Sequence, residues 1–271
     1  MATTPGIPGV AGTGGYAPRI AITRQKTSRR LLKIRWDYPV YKPEQPESTN
    51  DTVAEMVRSA LPREEAFRFL SGNDPRPLLV VRECNFCVGT GAALLSKSQD
   101  NDRTILLTRW FHCLKLPTDT LAPDHPFRNV FEKENPCHLF LASADGSSFI
   151  PLSGAQSQSD LWDAMNAILK VEYKKDPDRA VKDLMKLLAH LDHLDSMLDT
   201  VQEQYEEEVE KRGPKSKKLN RYKKNMAKLE KDKEKAMEKE KDLGELELRP
   251  EVVERKTKEQ TEEEKVASAS L

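Results

Sequence analysis

The sequence predicts an α/β domain followed by an all-α helical hairpin, and three observations carry that prediction. An apolar run, Pro77-Leu78-Leu79-Val80-Val81, leads into Cys84-Asn85-Phe86-Cys87 and then a helix-like stretch. Asp145-Gly146 stands between two short apolar segments, His138-Leu139-Phe140-Leu141-Ala142 and Ser148-Phe149-Ile150-Pro151-Leu152, the signal of a β-hairpin. From Ala180 onward, apolar residues recur in alternating steps of four and three (Ala180, Leu184, Leu187, Leu191, Leu194, Leu198, Val201, Tyr205), which is the seam of a coiled coil.

Composition bounds the rest. The chain has 271 residues, of which 32% are charged, and its mean hydropathy is −0.69. That is too polar for one packed globule of this length, so a core is expected in one part only. A formal net charge of zero argues against a polycation seeking nucleic acid. No run of about 18 apolar residues exists, so no membrane partner is expected. Residues 1–15 lack a basic start followed by an apolar stretch and do not read as a secretory leader. Four cysteines in a chain this long are not a disulfide scaffold, which points to a reducing, cytoplasmic setting. There is no Gly-rich phosphate loop, Ser-His-Asp set or paired-carboxylate motif, and no cofactor is expected.

Taken in order, residues 1–51 read as a disordered, basic N-terminal arm and linker. Residues 19–35 hold Arg19, Arg24, Lys26, Arg29, Arg30, Lys33 and Arg35 with no acidic residue, interspersed with Ile20, Ile22, Leu31, Leu32, Ile34 and Trp36. This stretch is either a short strand or amphipathic segment that touches an acidic partner, or a solvated arm. Without an aromatic or fold signature a nucleic-acid partner is not expected. Residues 52–173 read as one α/β domain. A helix over 64–70 ends at Ser71-Gly72, and a strand over 77–82 delivers the cysteines. Helical segments then cover 88–108, interrupted near Asp100-Asn101-Asp102, and a second strand over 110–116 closes at Pro117. After the hairpin, Ser157-x-x-Asp160 is a capping box that opens a helix over 161–173.

Asp176-Pro177 supplies a cap and an N1 proline for the helical hairpin, 176–243. Gly213-Pro214 breaks it, and a second series follows: Leu219, Tyr222, Met226, Leu229, Lys233, Ala236, Glu240 and Leu243. Glu203, Glu206, Glu207, Glu208 and Glu210 close the first helix, while Lys215, Lys217, Lys218, Arg221, Lys223 and Lys224 open the second. An antiparallel pair sets these blocks side by side. A first arm of roughly 35 residues would reach about 50 Å. Such an arm suits a protein partner or a homodimer, and the charged tail, 244–271, is expected to be disordered.

The order helix, strand, Cys-x-x-Cys at a helix start, strand, Asn135-Pro136 before a strand, Asp145-Gly146 hairpin and helix resembles the thioredoxin fold over about residues 64–173. The resemblance implies a central mixed sheet flanked by helices, with the active pair capping the helix after the central strand. It also implies a cis-proline before the next antiparallel strand. On these terms Cys84 is the attacking thiolate, Cys87 the resolving thiol, and Pro136 the residue that shapes the groove beside them. The chain departs from the family's pattern in having Glu83 for tryptophan, Asn85-Phe86 for Gly-Pro, Val88 for a basic residue, and no acid near Leu78. A carboxylate at Glu83 disfavours a neighbouring thiolate.

Two readings therefore stand. In one the chain is a thiol–disulfide reductase or redox sensor whose helical arm recruits a partner or dimerises. In the other the thioredoxin-like domain is a non-catalytic binding platform. Cys137 follows Pro136, so it either forms an alternative disulfide or joins Cys84, Cys87 and His138 around a metal; His112 with Cys113 is the other combination. The spacings match no zinc motif and no metal is expected. His190 and His193 read as a solvated helix face, and Trp110 and Trp162 as core residues.

Overall fold

A strand with no polar side to turn to water must be covered on both faces. Leu78–Arg82 (β2) is such a strand: Leu78, Leu79, Val80 and Val81 are each at most 1% exposed. The computed structural model describes residues 24–41, 59–84, 93–96 and 100–254. Around β2 it arranges Trp36–Asp37 (β1), His112–Leu116 (β3), Leu139–Ala142 (β4) and Phe149–Leu152 (β5) in a mixed sheet ordered β1-β3-β2-β4-β5. β1 and β2 each pair with β3 in parallel, β4 runs antiparallel to β2, and β5 antiparallel to β4.

Strand alternation sorts the core into two layers. Leu79, Val81, Cys113, Leu139 and Leu141 face Asp102–Thr108 (α3), Gln158–Glu172 (α4) and the start of Pro177–Arg212 (α5), through Leu106, Leu107, Met165, Leu169, Leu184 and Leu188. Leu78, Val80, Leu114, Leu116, Phe140 and Ala142 face Arg63–Ser71 (α2) and the loop phenylalanines Phe127 and Phe131. Each capping residue read from the sequence has its partner. Ser157 and Asp160 form a reciprocal capping box on α4, and Asp176 accepts from the Asp178 N–H at the start of α5 with Pro177 in the first turn. The turn between β4 and β5 needs glycine: Gly146 has φ +74°, and a Cβ there would lie 2.7 Å from Cδ2 of buried Phe67.

The helical pair is rooted in the α/β domain, so the boundary drawn at residue 176 does not separate two cores. The first turns of α5 belong to the sheet's own apolar layer, and only from Leu187 does the seam turn to Leu219–Gly244 (α6), through Leu191, Leu194, Leu229 and Ala236. The end of α6 is fastened back: the Trp110 indole donates to the Gly244 carbonyl at 2.7 Å, and Arg109 pairs with Glu240.

Two segments expected to be disordered are part of the fold. Residues 24–41 form β1 and a short helix, Lys26–Leu31 (α1), strapped across α5. Arg24 bridges Asp102 and Asp192 at 2.6 and 2.8 Å, Ser28 donates to the Leu188 carbonyl, and Thr27 donates twice to Asp195. The acceptors lie between 78 and 168 residues away in sequence, so nothing local reveals them. Likewise residues 245–254 return to the end of α4: Leu246 is buried, and Leu248 bridges Tyr173. Residues 1–23, 42–58 and 255–271, which hold the rest of the expected arm, linker and tail, lie outside the described residues.

Leu79→Ala should cost about 2–5 kcal/mol in denaturant unfolding, because both faces of β2 are closed. Val40→Ala, at a position 71% exposed, should cost under about 0.5 kcal/mol. Equal costs would contradict the packing. A second expectation concerns Asp195. Burial opposes its ionisation, but hydrogen bonds from Lys233, at 2.6 Å, and from Thr27 outweigh it and hold its pKa below the usual carboxylate range. A lowered folded pKa stabilises at pH values above the unfolded carboxylate's and is lost as pH falls through the folded value. Asp195→Ala should therefore cost about 1–3 kcal/mol at neutral pH, with the gap to wild type closing as acid protonates the wild-type carboxyl. A gap that stays constant into acid would refute this account.

Candidate functional site

The two partners of β2 guide its chain out of the sheet. On the parallel side the Glu83 N–H donates to the Leu116 carbonyl at 2.9 Å, and on the antiparallel side the Arg82 N–H donates to the His138 carbonyl at 2.9 Å. Cys84 is the next residue, half-buried at the carboxyl end of the central strand. The β2–β4 register pairs Leu78 with Ala142 and Val81 with Leu139. Continued past β2, it sets Glu83 level with Cys137 and Cys84 level with Pro136. Cys84 and Pro136 thus stand on adjoining strand ends, each two residues beyond the Arg82–His138 bond that ties the end of β2 to the approach to β4. Cys87 lies outside the described residues, and of the helical stretch read over 88–108 the described residues are 93–96 and 100–108, of which 102–108 (α3) are α-helical.

The sulfur chemistry divides clearly. Cys84 is disulfide-bonded, whereas Cys113 and Cys137 are free thiols. Cys113 is 2% exposed, and burial pushes its pKa up to about 12. Its sulfur lies 3.4 Å from the Thr108 carbonyl, so it is a protonated core residue. Cys137 is half-buried. Burial raises its thiol too, against the opposing influence of backbone hydrogen bonds at Cys137 and Leu152 and of the Arg82 charge.

The Asn135-Pro136 bond is trans, since no cis peptide bond occurs among the described residues. This corrects the cis geometry that the resemblance implies. Trans is the more stable isomer of an X–Pro bond by about 0.5–1 kcal/mol. Here the chain approaches β4 over three residues, Pro136-Cys137-His138, rather than turning at the proline itself.

Arg82 is the residue that sequence reading passed over. It is only 7% exposed, and among the described residues no carboxylate lies within ion-pair distance of it. Its Nε donates to the Cys137 carbonyl at 3.4 Å, and its Nη2 lies 3.3 Å from Nδ1 of His138. Burial lowers the pKa of Arg82, and burial together with the Arg82 charge lowers that of His138, so the imidazole is neutral at pH 7. The signal was present in the sequence as a lone basic residue ending an apolar strand.

The remaining candidates do not converge on a site. No group of three or more His, Cys, Asp or Glu side chains able to hold a metal occurs among the described residues. His112 lies 3.3 Å from Asp37, and His190 and His193 are exposed on α5. Trp110 is buried, while half-buried Trp162 donates to Thr104 Oγ1 beneath the Arg103 guanidinium. Of the basic segment, Arg24 is engaged internally, while Lys26, Arg29, Arg30, Lys33 and Arg35 are exposed.

The end of the central strand thus carries a disulfide-bonded cysteine and a buried guanidinium, and the guanidinium contacts a neutral imidazole and the backbone of a free thiol residue, Cys137. No helix among the described residues is long and apolar enough to cross a membrane. No protein-family model, curated protein or solved structure matches this chain.

The thiols should be told apart by alkylation of the native, unreduced protein. A pKa of about 12 leaves roughly one Cys113 in 10⁴ ionised at pH 8. Cys113 should therefore be labelled only on unfolding, and Cys137 measurably but more slowly than a free thiol. Equal rates for the two would overturn the assignment.

Proposed function

We propose that the chain is a cytoplasmic thiol–disulfide redox protein with a thioredoxin-like domain, in which Cys84 and Cys87 are the redox pair and Pro136 flanks it. In this reading the α5–α6 pair is an antiparallel coiled coil that binds a protein partner or a second copy of the chain.

The observation that carries the reading is the disulfide at Cys84, placed where the central parallel strand leaves the sheet. In a reducing compartment a disulfide is a working state rather than a structural staple. Three further features agree with the resemblance: Pro136 at the approach to the antiparallel strand β4, the Asp145-Gly146 turn between β4 and β5, and helices on both faces of the sheet. In a reducing turn the Cys84 thiolate attacks a partner's disulfide and expels one partner sulfur as thiolate. Cys87 then attacks Cys84 and releases the second, leaving the Cys84–Cys87 disulfide and a reduced partner.

The platform reading is favoured by one observation, the trans peptide at Pro136 where the resemblance implies cis. In that case the domain binds without turnover and the arm supplies assembly. The distal half of the arm suits self-association: Leu198 and Val201 are only partly buried, and Glu203, Glu206, Glu207 and Glu210 are exposed.

The test is mass-spectrometric titration of Cys84 and Cys87 in thiol buffers of graded poise. Reversible cycling with a midpoint between roughly −120 and −270 mV is expected. A pair that never cycles leaves the platform reading, and partner binding that survives Cys84→Ser would then identify it.

A further inference from the structure

We propose that Cys137 is a third redox thiol that exchanges with the Cys84 disulfide, and that Arg82 is the positioning cation that holds its thiolate. The proposal rests on the dithiol reading above and adds to it a second disulfide state.

The first argument is charge. A guanidinium withdrawn from water without an opposite charge is costly, and buried cations are accordingly found paired. Among the described residues Arg82 has no carboxylate partner, and its contacts are the Cys137 carbonyl and the neutral ring of His138. With Cys84 tied in a disulfide, the titratable group beside Arg82 that can carry a negative charge is the Cys137 thiol.

The second argument is reach. Cys137 stands one residue off the position level with Cys84 in the continued β2–β4 register. Neighbouring antiparallel strands lie about 5 Å apart and a residue advances about 3.4 Å, so pairing continued in this register would set the two Cα atoms roughly 6 Å apart. That lies inside the range of about 4.4–6.8 Å that a disulfide spans.

The third argument is facing. Strand alternation puts Arg82 and Cys84 on the same side of the sheet as Leu78 and Val80. Cys137 packs against that layer, with Phe140 and Phe149, although regular alternation would turn it the other way. The irregular approach to β4 therefore presents Cys137 on the face of the sheet that Leu78, Val80 and Arg82 share.

The exchange balances without an outside oxidant. Cys137 loses its proton to solvent, and its sulfur attacks Sγ of Cys84. The Cys84–Cys137 bond forms as the existing bond to Cys84 breaks, and the departing sulfur leaves with the electron pair and takes up a proton. One disulfide and one thiol are present before and after. The charged groups facing Cys137 are Arg82 from β2 and Glu132 from the preceding loop, while β5 presents the Leu152 backbone. Because burial outweighs the favourable groups, thiolate is scarce near neutrality, and the rate should rise about tenfold per pH unit over that range.

The full-length oxidised chain is incubated from about pH 6 to about pH 9, quenched with acid and alkylating agent, and its disulfides are mapped by mass spectrometry. A Cys84–Cys137 linkage should appear, faster at higher pH and absent from Cys137→Ser. Arg82→Met should slow it about tenfold, whereas Arg82→Lys, which keeps the charge, should slow it by less than about threefold. Circular dichroism of each variant separates this from loss of fold, and Arg82→Lys is the comparison if Arg82→Met unfolds. The proposal is overturned if Cys84 cycles in thiol buffers yet no Cys84–Cys137 linkage forms, a result that leaves the dithiol reading intact. It is overturned equally if the linkage forms as fast in Arg82→Met, or if Arg82→Lys slows it tenfold. Failure of Cys84 to cycle at all removes both readings.

Discussion

Burial of β2 on both faces is the constraint from which the rest of the fold follows. Four consecutive apolar residues with almost no exposed surface require one layer of side chains above the sheet and another below. Fully burying each such residue contributes on the order of 1.5–3 kcal/mol. α2 and the phenylalanine cluster supply one layer, and α3, α4 and the root of α5 the other. Flanked by a parallel and an antiparallel neighbour, β2 has a free end only where its chain leaves the sheet. Polar and reactive groups in sheets of this kind gather at the carboxyl ends of parallel strands, and here Arg82 and Cys84 stand at that end.

The same packing makes the long helical pair an extension of the domain. The Tyr173 hydroxyl donates to the Trp110 carbonyl at 2.8 Å, and the Trp110 indole donates to the carbonyl that ends α6. Trp110 lies two residues before β3, which pairs with β2 along its whole length. A continuous set of hydrogen bonds and packed side chains therefore runs from the base of the arm to the strand that carries Cys84. Arg24, two residues before α1, joins α3 to α5 through Asp102 and Asp192, so the N-terminal segment also holds the helical pair to the domain.

What could be read from the sequence was local. The apolar run at 77–81, the Asp145-Gly146 turn, the Ser157 capping box and the heptad seam from Ala180 each rest on spacings of a few residues, and each marks an element at its place. Long-range polar contacts left no such trace. Thr27 and Asp195 are 168 positions apart, and nothing in the composition of a basic segment says that Thr27 and Ser28 will be buried against a distant helix. The trans Asn135-Pro136 bond was hidden for another reason, since a resemblance transmits a family's geometry whether or not the local chain needs it. Arg82 was visible but drew no reading, because a charge at the end of an apolar strand ordinarily marks the point where the strand meets water.

Arg82 bears on the chemistry at this end of the sheet. Read along the chain, the nearest charge to Cys84 is Glu83, which opposes a thiolate. Read across the sheet, side chains at 82 and 84 share a face while 83 points to the other, because successive residues of a strand alternate. The Glu83 N–H still bonds to Leu116, so the backbone keeps strand pairing through this position. The charge that shares a face with Cys84 is thus the buried guanidinium of Arg82. A buried charge is screened less than an exposed one, so Arg82 weighs more on the sulfurs at this end of the sheet than the half-buried carboxylate of Glu83. At Cys137 the Arg82 charge favours the thiolate and Glu132 opposes it, and Arg82 is the stronger of the two.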